Sequence, residues 1–262
     1  MLRKFGAAFV TAIALAGLAS SRSAHADEPS VTPYRPTVSN PAQLPVAGWL
    51  EVEMGINKTH PGDGSRQSNV PYLLKYAFNE DFGILLGGDA HLSQTDVSGE
   101  RRRGFGDTLL LAKHRWGLGE ENDDSALGLE WGFKSPTARN GLGNGATDYL
   151  INGIYSTEFR GHSLDLNLSS AYLGAIDPGT GRTRWGWAAS ISRPLNEQWS
   201  LAAELSGVAR RGTSPETQGL FALAYALSKR VVLDAGFTIG LSRAAADKGF
   251  FVGASVLLEK LR

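Results

Sequence analysis

The sequence predicts an all-β protein: a transmembrane, antiparallel, up-and-down β-barrel of about twelve strands, an even count. Three observations carry this. Apolar and polar residues alternate with a period of two from residue 46 to the end, the period that puts successive side chains on opposite faces of a strand. The alternating segments run to ~10–12 residues, the length a tilted strand needs to cross a bilayer, where soluble strands average ~5–6. Their connections alternate between long and short, as in barrels with long loops outside and tight turns in the periplasm.

The first 26 residues read as an address. Arg3 and Lys4 form a positive start, Phe5 to Ala19 a short apolar run, and Ala24-His25-Ala26 a small-residue cleavage site, the three parts of a secretory signal peptide. Cleavage before Asp27 removes three cations and no acid, leaving 23 cations against 26 acids, a formal charge of −3. Residues 27–45 carry Pro29, Pro33, Pro36, Pro41 and Pro45. Proline at this density resists both helix and central strand, so the expectation is an extended periplasmic leader. Residues 46–262 form the barrel.

Each strand has one apolar face. Val46, Leu50, Val52, Met54 and Ile56 oppose Glu51 and Glu53; Tyr72, Leu74, Tyr76 and Phe78 oppose Lys75; Phe82, Ile84, Leu86, Ala90 and Leu92 oppose Asp89 and His91. Thr108, Leu110, Ala112 and Trp116 oppose Asp107, Lys113 and Arg115, with Leu109 and Leu111 blurring the contrast. Leu127 to Phe133 oppose Glu130 and Lys134; Tyr149 to Phe159 oppose Asp148, Asn152 and Glu158; Leu164, Leu166 and Leu168 oppose Asp165 and Asn167. Trp185 to Ile191 oppose Arg184; Trp199 to Leu205 oppose Glu204; Phe221 to Leu227 oppose Gln218; Val231 to Ile239 oppose Asp234; and Val252 to Leu258 close the series. With the apolar face in lipid, the lumen is lined by Glu51, Glu53, Lys75, Asp89, His91, Asp107, Lys113, Arg115, Glu130, Lys134, Asp148, Glu158, Arg184, Glu204 and Asp234, with Asp165. Such charges either fill the barrel with ion pairs or line a polar conduit whose constriction they set. Trp49, Tyr72, Trp116, Trp185 and Tyr225 suit the aromatic girdles at the membrane interfaces. The chain ends Glu259-Lys260-Leu261-Arg262 rather than in the aromatic residue common to outer-membrane barrels.

Composition narrows the function. There are 32 glycines, well above the average usage of ~7 %. Without cysteine there is no disulfide, thiol nucleophile or cysteine-ligated metal. Cations and acids number 26 each, so no strong field points to nucleic acid. No Walker, Rossmann or zinc motif is present, and no cofactor is expected.

Gly104-Phe105-Gly106-Asp107 followed by Lys113, and Lys134-Ser135-Pro136-Thr137 followed by Gly141–Gly145 and Thr147-Asp148-Tyr149, resemble motifs of the outer-membrane "MetA-pathway of phenol degradation" family. Ala138 stands where that family has glycine. The resemblance spans residues 46–262 and implies an outer-membrane channel for small, often aromatic or hydrophobic solutes. The expected partners are outer-membrane lipid and lipopolysaccharide, which Arg101-Arg102-Arg103 could meet through its phosphates, a small solute, and the barrel-assembly machinery. Two alternatives remain open: a structural outer-membrane barrel without flux, and a lipid hydrolase using His91 to activate Ser93. Against the second, His91 and Ser93 share the parity of Asp89, the lumen side, so the protein is read as no enzyme.

Overall fold

The computed structural model describes residues 28–119, 125–139 and 141–261. The signal-peptide segment lies outside them. The strands, in chain order, are β1 (Trp49–His60), β2 (Arg66–Ala77), β3 (Phe82–Thr95), β4 (Arg101–Gly104), β5 (Thr108–Gly117), β6 (Ala126–Ser135), β7 (Asp148–Phe159), β8 (His162–Tyr172), β9 (Thr183–Pro194), β10 (Trp199–Arg210), β11 (Glu216–Ser228), β12 (Val231–Gly240) and β13 (Lys248–Lys260). Twelve of them, of 10 to 14 residues, pair antiparallel with their neighbours, and β13 pairs with β1 to close the barrel. The thirteenth, β4, has four residues and extends β3 as a hairpin at the long-loop end. Sequence alternation missed it because four residues, three of them arginine, carry no apolar period.

Burial is inverted relative to a soluble protein. Outward side chains such as Leu168, Trp185 and Phe250 are more than half exposed, at 64%, 56% and 55%, whereas Glu51, Lys75 and Lys113 are completely buried. A half-buried soluble sheet would hide the first set and expose the second. This arrangement fits a wall with lipid outside and a packed polar interior.

The short-turn end shows the tight connections the sequence called for. Between β7 and β8 only Arg160 and Gly161 intervene, both at positive φ (52° and 72°). That is the two-residue turn whose twist matches antiparallel strands, and glycine takes its second position without strain.

In β3 the parity reading fails half-way. Pro71 pairs with Asp89 and Val70 with His91, so Ala90 is an extra residue, a β-bulge. Below it Leu85 faces in, buried at 1%, and Ile84 and Leu86 face out. Above it the faces exchange: His91 and Ser93 take the outward face of their partners Val70 and Ser68. His91 is therefore not a lumen residue. One inserted residue flips every side chain beyond it.

Candidate functional site

The lumen is occupied by the protein itself. Residues 28–45, expected to be a leader outside the barrel, thread its interior instead. They are irregular, as their prolines require. The segment enters at the short-turn end, where the Val31 N–H donates to the Lys229 carbonyl between β11 and β12. It rises to Ser39 and Asn40, then returns to start β1. Tyr34, Ser39, Ala42 and Leu44 are buried at 2%, 0%, 0% and 8%.

Lumen carboxylates hold it by accepting hydrogen bonds. Glu51 accepts from the Thr32 N–H (2.9 Å), and Glu53 from the N–H groups of Tyr34 (2.6 Å) and Arg35 (3.1 Å). Glu204 accepts from the N–H groups of Val38 (2.9 Å) and Ser39 (2.7 Å). Glu130 accepts from Asn40 Nδ2, whose backbone N–H donates to Asn167 (3.0 Å). The Ala42 N–H donates to Ser156 Oγ (2.8 Å). These bonds satisfy backbone donors that proline-rich chain cannot pair in a ladder. Ser39 Oγ also reaches Ser190 Oγ at 2.7 Å.

Tyr34 is the centre of the plug. Its ring lies between the ammonium groups of Lys75, 3.8 Å from the centroid, and Lys113, 4.1 Å away, a doubled cation–π contact. Its hydroxyl donates to the Gln43 carbonyl (2.7 Å), tying the ascending and returning limbs. Lys75 pairs with Glu51 and with Glu53 (2.6 Å); Lys113 pairs with Glu130 (3.0 Å). Both ammoniums also donate to segment carbonyls, Lys75 to Thr32 and Lys113 to Pro41.

Arg35 forks onto Asp234, at 2.9 and 2.8 Å, the bidentate geometry of a strong ion pair. It fits because Gly55 and Gly253, register partners on β1 and β13, leave a slot. A Cβ on either would come within 2.7 and 2.4 Å of the guanidinium.

One side of the plug is apolar. Tyr34 packs with Leu85 and Leu111, flanked by Leu73, Leu109 and Leu150. This explains why Leu109 and Leu111 blurred the alternation on β5: their lumen face meets a buried aromatic ring rather than water.

The plug separates two chambers. The outer, about 480 Å³, is lined by Val38, the apolar Leu111 and Leu150, and polar Asn152, Asn167, Ser169, Arg184, Ser206 and Gln218. The inner, about 620 Å³, is lined by Arg35, Thr37, Gln43, Glu158, Asp165 and Ser192 among others. Arg184 and Glu158 thus face the lumen at opposite ends.

Asp107, Lys134 and Asp148 form a separate cluster at the long-loop end. Lys134 Nζ lies 2.5 Å from Asp107 and 3.0 Å from Asp148. Asn144 donates to Asp148 (2.8 Å), the Gly174 N–H donates to Asp148 (2.9 Å), and the Ala138 N–H to Asp107 (3.0 Å). The glycine-rich motifs around them therefore clasp three loop regions together. Asp89, beside the bulge, accepts from Asn69 Nδ2 (2.6 Å). Arg115, at the short-turn end, reaches exposed Asp81 at 3.9 Å, its one ion pair among the described residues. Past Gly88–Thr108, β3 leaves β5, and a cavity of about 560 Å³ opens there beside Asp89 and Phe105.

The closed barrel fold has solved counterparts. An outer membrane channel from Pseudomonas putida F1 superposes with a TM-score of 0.63 at 12% identity, covering 90% of this chain and 100% of that one. The NanC porin gives 0.56 at 9% identity, over 80% and 100%. The CymD monoaromatic hydrocarbon channel gives 0.52 at 8% identity, over 83% and 90%. The fold is that of outer-membrane channels. No family model matches the sequence, and no curated protein does.

The hydrolase pair is not assembled. The bulge turns His91 and Ser93 outward, removing the parity objection. Yet Ser93 is buried at 4%, its hydroxyl accepts from Arg101 Nε (2.9 Å), and no hydrogen bond joins it to His91. A serine nucleophile needs its base within hydrogen-bond reach.

Proposed function

We propose that the protein is an outer-membrane channel that passes a small solute through its lumen when residues 28–45 shift. The single observation that carries this is the segment itself, an irregular stretch of chain lying between two preformed chambers. Outer-membrane lipid surrounds the apolar wall, and the barrel-assembly machinery inserts it. The solute is small and partly apolar, because Leu111 and Leu150 form an apolar edge to the outer chamber while Asn, Ser and Arg184 supply polar contacts. The likeness to the CymD monoaromatic hydrocarbon channel and the family resemblance support the same reading.

Proteoliposome flux tests it. Liposomes carrying the protein should release a small aromatic alcohol faster than protein-free liposomes, and should retain a trisaccharide. Equal release of both from protein-bearing and empty liposomes would instead support a structural barrel without flux.

A further inference from the structure

The outer wall carries a concentration of cations that passage through the lumen does not use. On β1 to β4 and β13 the register aligns outward side chains in rows near the long-loop end. Lys248 stands opposite His60, and Arg66 opposite Thr95, which faces Arg101. One step toward the membrane, Lys58 stands opposite Ser68, which faces Ser93 and then Arg103. One step further, the wall turns apolar, with Ile56 opposite Val252 and Val70 opposite His91. No acid stands in these rows. The acids of this end lie in the loops beyond: Asp247, Glu100, Asp63, which accepts from the Ser65 N–H, and Asp96, which is held by Ser98 and the Glu100 N–H.

The rest of the circumference differs at the same height. The outward residues from β6 to β12 there include Phe133, Tyr149, Tyr172, Trp185, Thr217 and Ile239. They are aromatic, aliphatic or hydroxyl; Arg182, whose guanidinium lies 5.7 Å from the centroid of the Tyr172 ring, is tied to the Leu173 and Gly174 carbonyls and stands apart from any row of cations. A generic interfacial girdle would be uniform around the barrel. Five cations, Lys248, Lys58, Arg66, Arg101 and Arg103, gathered on four of five adjacent strands are a localised site. Arg101 is held along the wall by its bond to Ser93, which places a guanidinium beside the lipid rather than in the loop.

We propose that this patch docks the phosphorylated glycolipid of the outer leaflet, lipopolysaccharide. Its phosphates sit on Lys58, Arg66, Arg101 and Lys248, and its acyl chains lie down the wall over Ile56, Val70 and Val252. Phosphate offers several acceptor oxygens and up to two charges, which arginine matches with paired donors and lysine with a mobile point charge. Apolar residues directly beneath the cations are what separates a lipid site from a site for free anions. The proposal rests on the outer-membrane location but not on conduction, so it survives or fails independently of the flux assay.

The test uses the whole protein purified in detergent. Binding of lipopolysaccharide, dephosphorylated lipopolysaccharide and inorganic phosphate is measured for the wild type, for the combined Lys58→Gln, Arg66→Gln, Arg101→Gln, Lys248→Gln variant, and for Arg193→Gln. Arg193 is an outward cation at the opposite end of the wall. The combined variant should bind lipopolysaccharide at least tenfold more weakly. Dephosphorylation should weaken wild-type binding by a similar factor, millimolar phosphate should not displace the lipid, and Arg193→Gln should bind as the wild type. If the combined variant does not fold, Arg101→Gln and Lys248→Gln singly should each weaken binding at least threefold. Wild-type affinity in these variants, displacement by phosphate alone, or an equal loss in Arg193→Gln would overturn the proposal.

Discussion

Deleting residues 28–45 should raise single-channel conductance in planar bilayers by about an order of magnitude. A barrel of twelve strands is wider than an eight-stranded one that side chains fill by themselves. Here the extra width is taken up by the segment, whose Tyr34, Ser39 and Ala42 lie at 2%, 0% and 0% exposure. Removing it joins the chambers of about 480 and 620 Å³ into one path. It also frees Glu51, Glu53, Glu204 and Asp234 from their contacts with the segment, so the open path should favour cations, because carboxylates lining a narrow pore set its field. The check is current amplitude and reversal potential in a salt gradient. An unchanged amplitude would mean that the segment does not limit the path.

Lys75→Met should destabilise the folded barrel by roughly 3–5 kcal/mol, the cost of removing one partner from a buried ion pair. Lys75 is fully buried against Glu51 and Glu53 and also holds the Thr32 carbonyl and the Tyr34 ring. Its loss strands two carboxylates and loosens the plug together. Among the described residues Arg115→Met breaks a single, 3.9 Å pair, with Asp81, whose side chain is 60% exposed, so it should cost no more than about 1 kcal/mol. Urea unfolding of both variants in lipid bilayers measures the difference. Equal costs would contradict the view that the lumen charges act as a tightly bonded unit.

The barrel was legible in the sequence because lipid leaves no choice: outward residues at every second position must be apolar, and lengths must match the bilayer. Eleven of the twelve long strands keep the face assignments that alternation gives. β3 does not, because the extra residue Ala90 exchanges its faces and moves His91 outward. Nothing in an alternating sequence marks a bulge except the flanking Gly87-Gly88, and glycine is common throughout this chain. The lumen charges were legible as a set, and Glu51, Glu53, Lys75, Lys113, Glu130, Glu204 and Asp234 do converge, but what they converge on was not. Proline density in residues 27–45 looks the same in a linker and in a plug. The available signal was a mismatch. Glu51, Glu53, Glu130, Glu204 and Asp234 have Lys75 and Lys113 as the mid-barrel wall's lysines, and buried carboxylates need donors. The segment supplies them as backbone N–H groups, Asn40 and Arg35. The glycine-rich motifs were visible too, but as a resemblance; their part in the clasp of Asp107, Lys134 and Asp148 depends on loops meeting in space.

Locking the segment in place tests the account most directly. Ser39 on the plug and Ser190 on β9 have hydroxyls 2.7 Å apart, and the native chain has no cysteine to compete. A Ser39→Cys, Ser190→Cys protein can therefore be bridged and released in the same bilayer. Oxidised, it should pass neither the small aromatic solute nor appreciable current; a reductant should restore both to the level of the wild type. Flux through the oxidised protein equal to that of the reduced one would contradict a path gated by residues 28–45.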